Sequence, residues 1–261
     1  MFKFIARIFR RRRLHVRVVS VSEKGLVREE NQDSLYVNRR QGVFAVADGM
    51  GGGEGGAAAS AIVCGALRKS LRFGASFHST IAKVSDAIRF ANSEIRRAAA
   101  KAGYRHMGST VTAFMIDRKT EKTAVIGYVG DSRVYRSRFG TLTQLTYDHT
   151  MTGELMRRSA TKAMFASFSG RNSPLAHVLT RAAGAEEEVH PDWCKIDLRR
   201  GDRYLICTDG VYDELSDGEI REFLKMKIPL REISRRLSAA IEKAGAGDNY
   251  SFIIIETGRR D

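Results

Sequence analysis

The fold is decided by one stretch of sequence, Gly42-Val43-Phe44-Ala45-Val46-Ala47-Asp48-Gly49. Five apolar residues follow Gly42, and a short apolar run bounded by turn residues predicts a buried strand. The strand ends on Asp48, so a carboxylate closes an apolar strand. The glycine-rich segment that follows lets the backbone turn tightly before the next predicted element.

The same arrangement recurs at other strand ends. A single Asp-Gly pair is usually a turn, because it supplies a positive φ and an Asx hydrogen bond. Several such pairs at the ends of neighbouring strands would bring carboxylates together, and these repel one another unless a cation lies among them. All-oxygen ligands favour Mg²⁺ or Mn²⁺, and no Cys/His spacing indicates zinc. The further segments are Asn31-Gln32-Asp33-Ser34, Val129-Gly130-Asp131-Ser132, Cys207-Thr208-Asp209-Gly210 and Gly247-Asp248-Asn249.

Apolar runs and helical spacing predict an α+β fold in which strands and helices segregate. The four strands at 109–116, 123–129, 133–137 and 142–145 are predicted to form an antiparallel meander. Further strands are predicted at 16–21, 35–37, 42–47, 193–198, 203–207 and 250–256. Helices are predicted at 55–71, 80–102, 175–183, 217–225 and 229–243.

The composition is that of a globular protein. The chain has 261 residues, of which 43% are hydrophobic and 28% charged, enough apolar material for one large domain or two small ones. Three cysteines are too few for a disulfide framework, and an odd number cannot all pair within one chain. We therefore expect thiols in a reducing compartment. No apolar run approaches the roughly 18 to 20 residues of a membrane helix, and a signal-peptide pattern is lacking. We therefore expect a cytoplasmic protein.

The net charge of +14 is unevenly distributed, since the first 17 residues carry seven Lys and Arg and no acid. As a helix, this segment would place Phe2, Ile5 and Phe9 on one stripe. Such a stripe beside basic residues suits weak contact with the anionic inner face of a membrane. A solvated basic tail is the alternative. Nucleic acid is not an expected partner, because the body of the chain lacks the usual binding motifs. We expect a tail at 1–15, one domain at 16–257 and a C-terminal tail at 258–261.

Eight ordered segments over roughly 18–256 resemble the bacterial form of the metal-dependent 2C-type (PPM) protein serine/threonine phosphatases. Their order along the chain is that of the family's motifs. The segments are Arg28-Glu-Glu-Asn31-Gln32-Asp33, Asp48-Gly49-Met50-Gly51-Gly52, Gly108-Ser109-Thr110, Gly130-Asp131-Ser132-Arg133, Leu145-Thr-Tyr-Asp148-His149, Leu179-Thr180-Arg181, Cys207-Thr208-Asp209-Gly210 and Gly247-Asp248-Asn249.

The resemblance implies a four-layer α-β-β-α sandwich of two mostly antiparallel sheets flanked by helices. It also implies two core Mn²⁺ or Mg²⁺ ions. Asp48 matches the carboxylate that bridges the two ions, and Gly49 offers its carbonyl oxygen to one of them. Asp209 and Asp248 match the ligands that complete the other ion.

Three more residues acquire roles through the same resemblance. Asp131 matches a position that helps to hold a third, weaker ion, and Asp33 would hold metal-bound water or bind the metal directly. Arg28 matches the phosphate-binding arginine, with a surface ion pair as its alternative role. The implied reaction is hydrolysis of phosphoserine and phosphothreonine on proteins by a metal-activated water, with Arg28 holding two phosphoryl oxygens. The catalytic group is then Arg28, Asp33 and Asp48.

The sequence departs from the family pattern at two positions. Bacterial relatives commonly read Asp-Gly-Met-Gly-Gly-His followed by Gly-Glu, and here Gly53 and Ala57 occupy the histidine and glutamate positions. If that histidine donates a proton, its loss would slow turnover without abolishing metal binding. The alternative function is therefore a weak or inactive pseudophosphatase that binds phosphoproteins, and a basic membrane or nucleic-acid adaptor is a third. His149 is a candidate substitute, although an unpaired surface histidine is the simpler interpretation.

The segment 148–173 loses clear periodicity and corresponds to the flap of the family. It would either dock the phosphoprotein or only shield the site. Cys207, in an apolar strand, is predicted to be a buried core thiol. The family typically opposes Hanks-type serine/threonine kinases, and some members work beside type VI secretion machinery. Phosphorylated proteins and a cognate kinase system are thus the implied partners.

Overall fold

The structure is a computed structural model and describes residues 15–51, 54–71, 78–118, 120–158 and 175–258. The basic tail, Gly53 and the flap beyond residue 158 lie outside these ranges. In chain order, the elements are β1 (His15–Glu23), β2 (Asp33–Asn38), β3 (Val43–Met50), α1 (Glu54–Ser70), α2 (His78–Ala102), β4 (Gly108–Ser109), β5 (Val111–Ile116), β6 (Thr123–Val129), β7 (Arg133–Arg138), β8 (Thr141–Gln144), α3 (Met151–Arg158), β9 (Asp192–Asp197), β10 (Arg203–Cys207), α4 (Asp209–Tyr212), α5 (Asp217–Lys225), α6 (Leu230–Ala244) and β11 (Tyr250–Gly258).

Two antiparallel sheets form the centre of the molecule. The five-stranded sheet has the order β1-β11-β10-β7-β8, and the six-stranded sheet has the order β2-β3-β5-β6-β9 with β4 beside β3. Every pairing that links these strands is antiparallel. The α+β class and the two antiparallel sheets predicted from the sequence are confirmed.

Three apolar cores separate four layers, and β3 shows how one strand serves two of them. Val43 and Ala45 face α1 and α2 in the first core, whereas Phe44 and Val46 face the other sheet in the second. A third core lies between the five-stranded sheet and helices α5 and α6, around Leu237. Because successive side chains of a strand alternate between faces, a continuous apolar run is what a strand between two packed layers requires. The layer order is therefore α-β-β-α, as predicted.

The four strands predicted as one meander are divided between the two sheets. β5 pairs with β6 in one sheet and β7 with β8 in the other. Gly130, with a φ of +99°, lies where the chain passes from β6 to β7. The meander prediction was wrong because a glycine turn does not reveal whether the strands on either side of it pair.

The segment 175–183 is not a helix, so that prediction was also wrong. Leu179 forms an isolated bridge with Thr150, and Ala183 forms one with Ser109. The Ala183 backbone N–H donates to the Ser109 carbonyl oxygen at 2.9 Å, and the Ala183 carbonyl oxygen accepts from the Ser109 N–H at the same distance. These long-range bonds hold the segment extended and override its apolar spacing. Conversely, the first part of the predicted flap contains helix α3.

Burial agrees with the predictions for the cysteines. All three are free thiols, and Cys207 and Cys64 are buried. Burial raises the pKa of Cys64 to about 12, so this thiol stays protonated and unreactive at neutral pH. Among the described helices, none combines the length and apolarity needed to cross a bilayer.

Candidate metal and phosphate site

A cleft of about 1290 Å³ opens at the end of the sandwich where strands of both sheets begin or end. Sheet topology explains its content, because β3 and β10 run toward this end while β7 and β11 start from it. Carboxylates placed at those strand ends therefore converge. The predicted site residues that line the cleft are Arg28, Asp48, Gly49, Asp131, Asp209 and Asp248.

The six-stranded sheet contributes Asp33 and Asp48, which lie directly opposite each other in the β2–β3 register. Asp33 is buried, and its Oδ2 accepts a hydrogen bond from the Thr208 hydroxyl at 2.9 Å. Thr208 belongs to the other sheet's side of the cleft, so this bond ties the two sheets together. Gly49 packs so closely that a Cβ would overlap the carbonyl oxygen of Gly56, which explains why only glycine fits there.

The five-stranded sheet contributes three carboxylates. Asp131 is buried just before β7, Asp209 is the first residue of α4 after β10, and Asp248 lies just before β11. The Oδ1 atom of Asp209 is buried and has no hydrogen-bond partner among the described residues. A buried carboxylate oxygen left unpaired costs free energy unless a cation or a proton meets it.

The carboxylates raise one another's pKa values. Burial raises the pKa of Asp33 to about 7, against hydrogen bonds from Ser251 and Thr208 that lower it. Burial and then the charge of Asp209 raise the pKa values of Asp48 and Asp131 well above the usual range. The pKa of Asp209 is raised by burial and by Asp248. Acids that cannot all ionise in isolation are the electrostatic condition under which a divalent cation binds strongly.

The donor set fits a hard divalent cation. It consists of carboxylate oxygens and the carbonyl of Gly49, the ligands that Mg²⁺ and Mn²⁺ prefer. The unpaired oxygen of Asp209 is an independent sign of fit, because it lacks only a positive partner. Asp48 and Asp209, one from each sheet, are close enough to share a hydrogen bond when one of them is protonated.

Arg28 lies at the mouth of the cleft, where its Nη2 donates to Asp248 at 2.6 Å. The side chains of Arg28 and Asp248 are 57% and 39% exposed, so the guanidinium remains accessible to a ligand. The bond to Asp248 raises the pKa of Arg28 further above its usual value. The structure thus contains both predicted features of Arg28, a position in the cleft and an ion pair.

Asn249 was quoted in a motif but was given no role, and the structure supplies one. Its Oδ1 accepts from the Gln32 backbone at 2.9 Å, and its Nδ2 donates to the carbonyls of Lys24 at 2.7 Å and Glu30 at 2.8 Å. These three bonds clamp the loop that carries Arg28. The feature of the sequence that could have indicated this role is the position of Asn249 directly after the predicted metal ligand Asp248.

Sequence reasoning missed His177 and Asp213. Ligand atoms of His177, Asp209 and Asp213 all lie within 4.8 Å of one another, and the His177 Nδ1 lies 3.6 Å from the Asp213 Oδ2. An imidazole therefore reaches the cleft beside Asp209. His177 lies in the segment that was mistaken for a helix, so no sequence pattern placed it here.

His149 is neither an unpaired surface residue nor a group that lines the cleft. It is buried, its Nδ1 accepts from the Gly130 backbone at 3.1 Å, and its Nε2 lies 3.3 Å from Asp192. Its ring stacks on Tyr128 with centroids 5.2 Å apart. Burial lowers the pKa of His149 to about 4. The surface interpretation was wrong, and the contacts indicate a neutral histidine that fixes the turn before Asp131.

Two sheets that deliver carboxylates to one cleft, each backed by helices, define the architecture of a metal-dependent phosphatase of the 2C type. The family model for Protein phosphatase 2C matches residues 27–246. The chain therefore belongs to this family.

Relatives with similar sequences and structures come from bacteria. The Mycobacterium tuberculosis serine/threonine protein phosphatase PstP is 33% identical over 93% of this chain, which spans 45% of that protein, so the chain has about half its length. A crystal structure of the PstP catalytic domain with 2 manganese ions is 33% identical over 94% of this chain and 99% of that one, with a TM-score of 0.79. PppA, a key regulatory component of the type VI secretion system in Pseudomonas aeruginosa, is 28% identical over 93% of this chain and 98% of that one, with a TM-score of 0.80.

Proposed function

We propose that this protein hydrolyses phosphoserine and phosphothreonine on proteins in a metal-dependent reaction. The observation that carries the proposal is the convergence of Asp48, Asp131, Asp209 and Asp248 from two sheets on one cleft beside Arg28. Asp33 does not line the cleft, but it is buried close enough for the charges of Asp209 and Asp248 to raise its pKa. Relatives named serine/threonine protein phosphatases support it. A pseudophosphatase would be free to lose these ligands, whereas this chain retains them.

Asp48 would bind both core ions, and the Gly49 carbonyl would bind one of them. Asp209 and Asp248 would complete the other ion, and Asp131 would share a third, weaker ion with Asp209. The ions, when bound, supply an activated water and offset charge on the phosphoryl oxygens. Asp33, with a raised pKa, would orient water or bind metal directly.

Arg28 would hold two phosphoryl oxygens through its planar fork. Its partner Asp248 (2.6 Å) keeps the guanidinium over the cleft until substrate arrives. The Asn249 clamp would keep the loop in place while Arg28 exchanges one anion for another.

The test is hydrolysis of para-nitrophenyl phosphate and a phosphothreonine peptide by the purified chain with Mn²⁺, Mg²⁺ or chelator. Asp209→Asn should lower kcat by about 100-fold or more and weaken Mn²⁺ binding measured by calorimetry. Asp197→Asn, at an exposed position at the end of β9, is the matched control and should behave as the parent protein. Unchanged turnover in Asp209→Asn would refute the proposal, and tight phosphopeptide binding without turnover would favour the pseudophosphatase.

We propose that the protein opposes a cytoplasmic serine/threonine kinase system, including one linked to type VI secretion. The support is the similarity to PppA, a key regulatory component of the type VI secretion system in Pseudomonas aeruginosa. Deletion of the protein should raise phosphothreonine on a small set of proteins, detected by phosphoproteomics. An unchanged phosphoproteome would contradict the proposal.

We also propose weak, reversible contact of residues 1–15 with the anionic inner face of a membrane. The tail joins β1 at His15, which lines a groove with the basic residues Arg200, Lys225 and Lys227 and with Phe139. Phe139 is 88% exposed. Basic residues around an exposed aromatic suit an anionic lipid surface. Sedimentation with anionic but not neutral vesicles, lost at high salt, is the expected result, and equal sedimentation with both would refute it.

A further inference from the structure

A second pocket of about 500 Å³ lies beside the catalytic cleft. The two depressions share Met50, Gly51 and Ala185 in their walls, so a bound polypeptide can pass from one to the other. The remaining walls come from the end of α2 and the segment that follows it, including Arg96, Tyr104, Arg105, His106 and Met107.

The charge in this pocket is one-sided. Arg96 and Arg105 line it, whereas no aspartate or glutamate does. Both arginines are exposed, and neither forms an ion pair with any part of the chain that the structure describes. Arg97, the neighbour of Arg96 on α2, does form one, with Glu94 at 2.5 Å. The two arginines of the pocket are therefore available to an external anion.

The position of the pocket is fixed by tight backbone packing. Gly51 has a φ of +136°, and a Cβ there would overlap the carbonyl oxygen of His106. Met50 pairs with Gly108 across β3 and β4. The segment that carries Arg105 is thus anchored to the same strand that carries Asp48. Tyr104 is 39% exposed and forms an aromatic wall of the pocket, and a Cβ on Gly55 would lie in ordinary contact with its ring.

The boundary between the two depressions lies within the reach of a short peptide from Asp48. Gly51 lines both depressions and follows Asp48 by three residues, a separation of at most about 10 Å along the chain. A bound peptide in extended form advances by the same length per residue. An anionic group two to four residues from the phosphorylated residue would therefore reach Arg96 and Arg105 while the phosphoryl group lies in the cleft.

We propose that this pocket is a specificity subsite that selects phosphoproteins with a second anionic group two to four residues from the phosphoresidue. Arg guanidinium forks bind carboxylates and phosphoryl groups alike, so the second anion is an acidic side chain or another phosphate. The inference rests on the proposed phosphatase function, since it assigns a substrate class to that site.

The test uses the full chain with Mn²⁺ and a set of phosphothreonine peptides that carry Ala, Lys, Asp or phosphothreonine at positions two to four on either side. The parent protein should show a KM about three- to tenfold lower for anionic than for neutral peptides, the size expected of two partly exposed ion pairs. In the double variant Arg96→Ala, Arg105→Ala this ratio should fall to near one. Higher ionic strength should reduce it as well. Comparison of the Asp peptides with the peptides that carry a second phosphothreonine shows whether the preferred anion is a carboxylate or a phosphate.

Arg97→Ala is the matched control, because it removes another exposed arginine from the same helix, one that is already paired with Glu94. It should retain the preference for anionic peptides. A parent protein without that preference, or a double variant that keeps it, would overturn the subsite. If para-nitrophenyl phosphate and every peptide remain intact, the proposed phosphatase function fails. Fluorescence anisotropy with the same labelled peptides then still decides the subsite through the same ratio of affinities.

Discussion

At the scale of single residues, Asn249 determines where the predicted phosphate ligand lies. It is buried and spans the loop from Lys24 to Gln32 with three hydrogen bonds. Asn249→Ala would leave the three backbone partners unpaired, which costs about 1–3 kcal/mol of unfolding free energy. It would also release Arg28 from its position. We therefore expect KM for para-nitrophenyl phosphate to rise by about tenfold.

Asn38 offers a control for Asn249. Its side chain also makes three hydrogen bonds, two to Gln41 and one to Tyr36, but at the far end of β2. Asn38→Ala should lower the urea midpoint without a change in KM. Equal KM values in the two variants would show that the clamp does not position Arg28.

The residue scale also shows what sequence alone reveals about the site. Asp48 and Asp209 were predictable, because each lies at the end of an apolar strand and the sequence itself shows that each is a carboxylate. His149 was not, because its burial depends on Tyr128 and Asp192, which are distant in sequence. The positions of Arg96 and Arg105 beside the cleft were equally hidden, since they result from packing of the chain after α2 against β3.

At the scale of elements, helix α5 begins with a capping box. Ser216 accepts from the Glu219 backbone at 3.3 Å, and the Glu219 side chain accepts from the Ser216 backbone at 2.8 Å. Ser216→Ala should lower the free energy of unfolding by about 1 kcal/mol, measured by urea denaturation. Ser216→Asp keeps an acceptor at the cap and should retain most of the stability. Equal stability of the parent and Ser216→Ala would refute the contribution of the cap.

Elements whose signals are local were predicted well, and those decided by pairing were not. Helix α5 matches its predicted bounds because apolar spacing and a capping pattern occur in one short window. The two hairpins β5–β6 and β7–β8 were joined into one meander because only long-range pairing separates them. The helix prediction for 175–183 was wrong for the same reason, since the bridges of this segment to Thr150 and Ser109 bring together chain regions far apart in sequence.

At the scale of the whole molecule, the carboxylate cluster links stability to pH and to metal. Asp33 joins the two sheets through Thr208, and its pKa is raised from 3.8 to about 7. A raised carboxyl pKa means that the folded state holds the proton more tightly than the unfolded state does. The stabilisation is fully present below pH 3.8 and is lost as the pH rises through about 7. In chelator, this carboxyl therefore makes the protein less stable at pH 7.5 than at pH 5.

Divalent metal should reverse this trend, because it replaces the protons as the positive partner of the carboxylates. Mn²⁺ at 100 times its Kd at pH 7.5 should stabilise the fold by about 2.7 kcal/mol. The same Mn²⁺ concentration should raise Tm less at pH 5, where protons compete for the carboxylates. Scanning calorimetry at both pH values, with chelator or Mn²⁺, measures this gain in Tm. Asp33→Asn should flatten the pH dependence in chelator, whereas the exposed Asp197→Asn should not. A gain in Tm that is the same at both pH values would mean that the cluster does not bind metal in competition with protons, and the electrostatic argument for the site would fail.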